Sequence, residues 1–278
     1  MNFNRVHLDL GGGKLYQFSN KNRVQMMSYL IEAPTGELIM IDGGNPCDED
    51  ADFLESVLLE KGGHISAWFI THAHDDHFGA LLRLMERGKL NFTVDCLYFD
   101  FPTLDWIAKT ESNSTRSVSD FTEQVKKHGL KVLPIGKGDC IEAGIKIEAL
   151  NSLGDYEGYP SINDTSIVLL AHFPKRSVLF LADLAEAGQK ALINESGNKL
   201  RCDIVQMAHH GQRGVNFEMY SLIAPKICLY TAPDWLWDND NGGGFDSGPW
   251  LTVKTREWME RLGAQASFPA AFGDYEFD

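Results

Sequence analysis

Two hydrophobic rhythms alternate along the chain. Short apolar runs, continuous or at a period of two, read as strands, and apolar positions spaced three or four apart read as helices. Met26 to Ile31 and Glu37 to Ile41 are apolar runs joined by Ala33-Pro34-Thr35-Gly36, which reads as a β-hairpin. Asp48 to Leu59 has an acidic start, apolar Phe53, Val57 and Leu58, and Gly62-Gly63 after it, the signature of a helix. Ala67-Trp68-Phe69-Ile70 reads as a buried strand, Gly79 to Met85 as the start of a helix, Val94 to Phe99 as a strand and Val118 to His128 as an amphipathic helix. Cys140 to Leu150 reads as one strand, with Ile141, Ala143, Ile145, Ile147 and Ala149 on one face. Ser166 to His172 and Ser177 to Ala182 flank Phe173-Pro174-Lys175-Arg176 as a second hairpin. After it come a helix (Ala185 to Ile193), a strand (Ile204 to Ala208), a helix (Phe217 to Ile223), a strand (Ile227 to Tyr230) and a helix (Val253 to Leu262).

Hairpins lead each half, and strands alternating with helices follow. That order predicts an α/β (α+β) chain, an αββα sandwich of two mixed β-sheets flanked by helices. No linker interrupts 278 residues of which 44% are hydrophobic, so residues 1–278 read as one domain. Residues 234–250 are too rich in Gly and Asp for a helix or strand, and their tryptophans suit either a binding loop or a packed surface loop.

Charge narrows the partners. A net charge of −14 disfavours long duplex nucleic acid, whose binding depends on Lys and Arg neutralising phosphates. The five cysteines are scattered and odd in number, against a disulfide framework. The chain opens without a basic-then-apolar signal segment, and no apolar run approaches the ~20 residues of a membrane span. The expectation is a cytoplasmic protein without a membrane partner. Nothing in the sequence sets its oligomeric state.

The chemistry is concentrated in Thr71-His72-Ala73-His74-Asp75-Asp76-His77-Phe78-Gly79. Three imidazoles and an aspartate within six residues suit a zinc, manganese or iron site, with zinc the first choice. They lie on the turn at the carboxyl end of a strand, where open α/β sheets carry their sites. His72 and His74 can face one ion, Asp76 and His77 a second. Two further strand ends offer ligands: Asp183, and the pair His209-His210 before Gly211. A strand-end Asp by itself is most often a turn or helix cap. Its value here comes from the order of His-rich loop, then Asp, then His.

With those motifs in place, the chain resembles the metallo-β-lactamase superfamily of metal-dependent hydrolases over most of its length. Ile41-Asp42-Gly43-Gly44 resembles its early Asp-Gly motif. His72, His74, Asp76 and His77 match its main motif residue by residue. Phe180-Leu181-Ala182-Asp183 resembles the bridging-aspartate motif, and Ala208-His209-His210-Gly211 the last histidine motif. Ile162-Asn163-Asp164-Thr165-Ser166-Ile167-Val168-Leu169 and the His209-His210 doublet are similar to the ComEC-type branch, which includes phosphorylcholine esterases. The superfamily's usual extra histidine before the bridging Asp has no counterpart in context, because only His128 and His172 fall in that interval. That branch lacks it too.

The resemblance implies two divalent ions. His72 and His74 would bind one, Asp76, His77 and His209 the other, and Asp183 would bridge them. His210 would then support the site or donate to the substrate. Asp42 would orient a ligand histidine. The first ion would keep an open face, with Asn163 near it. Asp76 or His210 would move a proton to the leaving group.

The reaction so implied is hydrolysis of a small anionic substrate, first a phosphodiester or related phosphoester. The alternatives are a carbon ester, thioester or lactone on the same metals, with β-lactams the weakest, or a metal-binding protein without catalysis. Trp235 and Trp237 are candidates to bind substrate. With Trp250, Tyr156 and Tyr159 they could cage a quaternary ammonium group, stack bases, or only pack.

Overall fold

The computed structural model describes residues 2–278. Two mixed sheets pack face to face with helices on both outer surfaces, the expected αββα sandwich. Among the described residues the first sheet runs Asn4–Val6, Tyr275–Phe277, Lys14–Gln17, Tyr29–Glu32, Leu38–Ile41, His64–Phe69, Leu97–Tyr98, Val132–Leu133. The second runs Ala266–Pro269, Ile227–Tyr230, Ile204–Gln206, Ser177–Phe180, Leu169–His172, Lys146–Ala149, Cys140–Glu142. Each sheet joins antiparallel hairpin strands to parallel ones.

The period of two explains the layers. Tyr29, Ile31, Ile39, Ile41 and Phe69 point between the sheets, where they meet Ile147, Leu169, Val178, Phe180, Ile204 and Leu229. Their neighbours Leu30, Met40 and Trp68 point outward and bury the apolar faces of helices Asp48–Glu60, Asp75–Glu86 and Thr115–Lys127. On the other sheet Leu179, Val205 and Cys228 do the same for Glu186–Ser196, Phe217–Ile223 and Thr252–Arg261. At about 25 cal/mol per Å² these three apolar layers supply most of the folding drive.

Three expectations need correction. The run Cys140 to Leu150 is a hairpin of Cys140–Glu142 and Lys146–Ala149, because Gly144 takes a φ of +77° and turns the chain. The alternation of its apolar side chains continues through the turn and conceals it. Val94 to Phe99 is broken into Thr93–Val94 and Leu97–Tyr98, both alongside His64–Phe69. Residues 234–250 begin with a helical turn, Asp234–Trp237, and the loop after it is pinned from inside by Asn239, which bonds Asp246 and the Trp250 amide.

The parallel strands carry the site. Leu38–Ile41 and His64–Phe69 end side by side, as do Ser177–Phe180 and Ile204–Gln206. The loops leaving these four carboxyl ends hold Asp42, the His72–His77 segment, Asp183 and His209-His210. Among the described residues no helix is long and apolar enough to cross a membrane.

Candidate metal centre

Asp42 follows its strand in a left-handed conformation (φ 59°) and is fully buried. Its Oδ1 accepts from the Thr71 amide and its Oδ2 from the Thr71 hydroxyl, both at 2.8 Å. Oδ2 also accepts from His77 Nδ1 at 2.7 Å. Asp42 therefore ties two strand ends together and orients His77. The helix Asp75–Glu86 starts at His74, so Asp75 and Asp76 occupy its first turn, where the helix dipole favours negative charge. Gly79 lets that helix lie against Pro46; a Cβ there would fall 2.3 Å from the Pro46 nitrogen.

On the second sheet a buried glutamine fixes the geometry. Gln206 accepts from the Ala182 amide at 2.7 Å and donates to the Ala182 carbonyl at 3.2 Å. This clamp holds Ala182 at a φ of 52°, next to Asp183. His209 and His210 are also left-handed, with φ of 50° and 57°. Such non-glycine conformations cost on the order of 1–3 kcal/mol each and persist where the surroundings enforce them.

Asp76, His77, Asp183 and His210 converge, with one ligand atom from each lying within 4.8 Å of the others. His77 Nε2 is 3.3 Å from Asp183 Oδ1, and His210 Nε2 is 3.3 Å from Asp183 Oδ2 and 3.1 Å from Asp76 Oδ2. Alongside, His72 Nε2 faces His74 Nδ1 at 3.1 Å. Here the expected assignment changes. His210, not His209, stands with Asp76 and His77, because the left-handed backbone turns His210 inward while His209 stays partly exposed. His210 is fully buried between Asp76 and Thr231, out of reach of a substrate, so the structure does not support it as a donor to one.

The residues fit a divalent cation, and the outer hydrogen bonds of the rings say why. His77 Nδ1 is held by Asp42, and His74 Nε2 by Glu111 Oε2 at 2.8 Å. His72 Nδ1 meets the Thr71 hydroxyl at 3.2 Å, and that hydroxyl spends its own proton on Asp42. His210 Nδ1 meets the Thr231 hydroxyl at 2.9 Å. With the outer nitrogen so engaged, each ring can turn a lone pair inward once an ion takes the place of the inner proton. Lone pairs of His72 and His74 facing each other at 3.1 Å need a positive charge between them. Among the described residues, buried His77 Nε2 and Asp183 Oδ1 lack any hydrogen-bond partner.

Electrostatics agree with this reading. Burial works against charge on His77, but Asp183, Asp42 and Asp76 outweigh it and raise its pKa well above the usual range. Burial opposes His210 too, and Asp183 and Asp76 push it up to about 9. Asp183 resists burial and stays well below the usual carboxylate range, because His210, His77 and His209 surround it. His72, by contrast, is driven well down by burial and by the neighbouring His77. The negative potential that holds protons on His77 and His210 is one that attracts a dication.

A cleft of about 460 Å³ opens beside His74 and Asp76, flanked by Arg23, Asn113 and Trp235. Trp235 packs against Trp250 with the ring planes at 60° and donates its indole N–H to the Arg23 carbonyl. Trp237 is not part of this wall. It packs edge-on against Tyr230 under the Arg256 guanidinium and lines another cavity. Tyr156 lies against Trp106 in the helix layer. Asn163 sits 3.4 Å from His209 Nε2.

Sequence reasoning did not reach Glu111, Thr71, Gln206 or Arg23. A lone glutamine in the apolar run from Ile204 to Ala208 was a signal for Gln206. Glu111 had none, because its partner His74 is 37 residues away and the contact is tertiary.

The family model for the Metallo-beta-lactamase superfamily matches residues 22–238. Among solved structures, the metallo-beta-lactamase fold protein YhfI from Bacillus subtilis aligns with a TM-score of 0.56 at 13% identity, covering 95% of this chain and 99% of that one. CmlA, a diiron beta-hydroxylase from Streptomyces venezuelae, aligns with a TM-score of 0.55 at 16% identity, covering 92% of this chain and 52% of that one. At these identities the likeness shows the fold. A search of curated protein sequences finds no match.

Proposed function

The chain belongs to the metallo-beta-lactamase superfamily, and from that premise we propose that it is a metal-dependent hydrolase with a dinuclear centre, acting first on a phosphodiester or related phosphoester. The observation that carries this reading is the convergence of inward-facing ring nitrogens, each pinned from behind, on the carboxylates of Asp76 and Asp183. His72 Nε2 and His74 Nδ1 would hold one ion, and Asp76, His77 Nε2 and His210 Nε2 the other, with Asp183 shared. When bound, the ions supply Lewis acidity, an acidified water and neutralisation of charge on substrate oxygens. Zinc suits the donor set, and CmlA, a diiron protein of like fold, keeps iron in play.

The chain's own residues supply position and proton movement. Arg23, whose guanidinium pairs with Asp234 at 2.8 Å, and Trp235 flank the cleft, one bringing a cationic group and the other an apolar face toward a small anionic substrate. Asp76 is the cluster's carboxylate that also borders the cleft. His77 and His210 hold it ionised against burial, below the usual carboxylate range, which favours binding a cation over keeping a proton; its place at the cleft edge is what makes it the group to relay a proton to the leaving group. The buried rings of His72, His77 and His210 keep bulk water from the other side. Assignment to the ComEC-like branch rests on the Asn163-to-Ser166 run and the histidine doublet.

The test is hydrolysis of bis(p-nitrophenyl) phosphate by metal-loaded protein, with Asp183→Ala as control, beside a lactone and a thioester. Diester turnover lost in the variant supports the reading. Turnover of the lactone or thioester alone moves the substrate class to carbon esters. Metal uptake without turnover on any of them favours a non-catalytic metal-binding protein.

A further inference from the structure

The His72/His74 half of the centre is short of donors: two imidazoles and a share of Asp183. Of the chain's nine histidines, five lie at the centre. The other four are engaged elsewhere: His7 with Asp278, His64 with Asp95, His128 with the Gln124 and Gly88 carbonyls, and His172 with Glu148. His209 is the ring left to place.

Its chemistry is fixed from behind. His209 Nδ1 faces the Arg213 carbonyl, which can only accept, so that nitrogen carries the proton and the neutral ring offers its lone pair at Nε2. Nε2 lies 3.8 Å from Asp183 Oδ2, the same oxygen that His210 Nε2 approaches at 3.3 Å. The two successive left-handed residues splay the rings, with centroids 6.0 Å apart and planes at 51°. His210 turns toward Asp76. His209 turns toward Asn163, whose neighbour Ile162 donates its amide to Glu111 Oε1 at 2.8 Å. The other oxygen of Glu111 holds His74. A chain of contacts thus runs from His74 through Glu111, Ile162, Asn163 and His209 to Asp183, and it ties His209 to the Glu111 and His74 side of the centre.

We infer that His209, through Nε2, is the protein ligand that completes the His72/His74 half of the centre, with Asp183 as the carboxylate common to both halves. The inference rests on the dinuclear reading above. It gives the histidine doublet two separate duties, one imidazole for each ion. It also closes the face expected to be open, and requires the Asn163 amide, 3.4 Å from Nε2, to yield that nitrogen to the ion.

The experiment measures bound metal by plasma mass spectrometry after zinc loading and dialysis, with chelator competition for affinity, on the wild-type chain, His209→Gln, His209→Ala and His210→Ala. Two equivalents are expected in the wild type. Both His209 variants should keep one ion and lose or weaken the second by at least about 100-fold, beyond what loss of an outer partner usually does. His210→Ala should weaken the other ion. With cobalt in place of zinc, the two His209 variants should alter one set of visible bands and leave the set that His210→Ala alters. Unchanged thermal unfolding of the metal-free His209 variants shows that the loss is local; His209→Gln covers the case in which His209→Ala is poorly folded. Two ions held at wild-type affinity by both His209 variants would overturn the inference and leave the hydrolase reading standing. A wild-type chain that takes up no metal would overturn both.

Discussion

Glu111 Oε2 lies 2.8 Å from His74 Nε2, and this bond decides which nitrogen of His74 faces the centre. The carboxylate holds the Nε2 proton, so Nδ1 is left to meet His72 Nε2. The His74 proton in turn lowers the Glu111 carboxyl, against partial burial, and the Ile162 amide lowers it further. Glu111→Ala is therefore expected to weaken one metal ion by about 10–100-fold, the range for loss of a partner behind a ligand. Glu111→Gln keeps an acceptor oxygen and should cost less. Chelator competition on both variants checks this; equal affinity in Glu111→Ala and wild type would mean that His74 is oriented without it.

Asp42 is a different case, because it is fully buried and serves three donors. Its removal leaves the Thr71 amide, the Thr71 hydroxyl and His77 Nδ1 without their acceptor. Breaking a buried pair from one side costs about 3–5 kcal/mol. Asp42→Ala should lower the unfolding midpoint on the order of 10 °C and abolish binding of the ion near His77. Asp42→Asn presents an amide N–H to one of the donors and should fall between. Thermal unfolding followed by circular dichroism, with metal content on the same samples, separates the two effects.

The candidate ligand residues could be picked out because most fall in one short segment and all sit at strand ends, which apolar runs mark in advance. Their partition was not. Whether His209 or His210 turns inward depends on two left-handed residues, and nothing in Ala208-His209-His210-Gly211 except the glycine announces them. Trp237 failed as a cleft residue for a similar reason. It lies two residues beyond Trp235 on a single helical turn, so the two rings point to different cavities. The sandwich followed from the order of periodic segments. The strand Tyr275–Phe277 did not, because it crosses from the chain's end back into the first sheet beside Lys14–Gln17.

Protons and metal compete for His210. With its folded pKa raised from 6.5 to about 9, this ring stabilises the metal-free chain fully below about pH 6.5 and loses that contribution as pH rises through 9. Metal uptake has the opposite slope, because the ion must displace the proton. Two outcomes are expected between pH 6.5 and 9. The midpoint of chelator-treated protein should fall through this window as far as His210 governs it, and zinc affinity, corrected for the metal's own hydrolysis, should rise. An unfolding midpoint flat across the window would remove His210 from the account.

Gly79 offers a test of packing around the motif. In a helix interior, alanine is better than glycine by about 1 kcal/mol. Here the added methyl would stand 2.3 Å from the Pro46 nitrogen and 2.7 Å from the Asn45 carbonyl carbon, both backbone atoms that cannot swing aside. Overpacking of this kind costs about 1–3 kcal/mol or more, so the clash should win. Gly79→Ala is expected to be less stable than wild type and, by shifting the helix that carries Asp76 and His77, to weaken metal binding. A more stable variant in denaturant titration would show that the Asn45-Pro46 segment can yield.

Trp235 and Trp237 separate substrate contact from packing. Trp235 borders the cleft with Arg23, and its indole N–H anchors the Arg23 backbone. Trp237 is sandwiched against Tyr230 and Arg256 away from it. Trp235→Ala should raise KM for an aryl phosphodiester several-fold while kcat holds, the pattern for loss of uniform binding. Arg23→Ala should do the same for anionic substrates and less for a neutral lactone. Trp237→Ala should lower stability by about 2–3 kcal/mol, less than a fully buried tryptophan, and leave KM unchanged. Repeating the Trp235→Ala kinetics with a choline phosphodiester addresses the headgroup directly. A larger rise in KM for the choline ester than for the aryl diester fits a cation held over the indole face; equal rises would reduce Trp235 to a wall of the cleft and remove the choline idea.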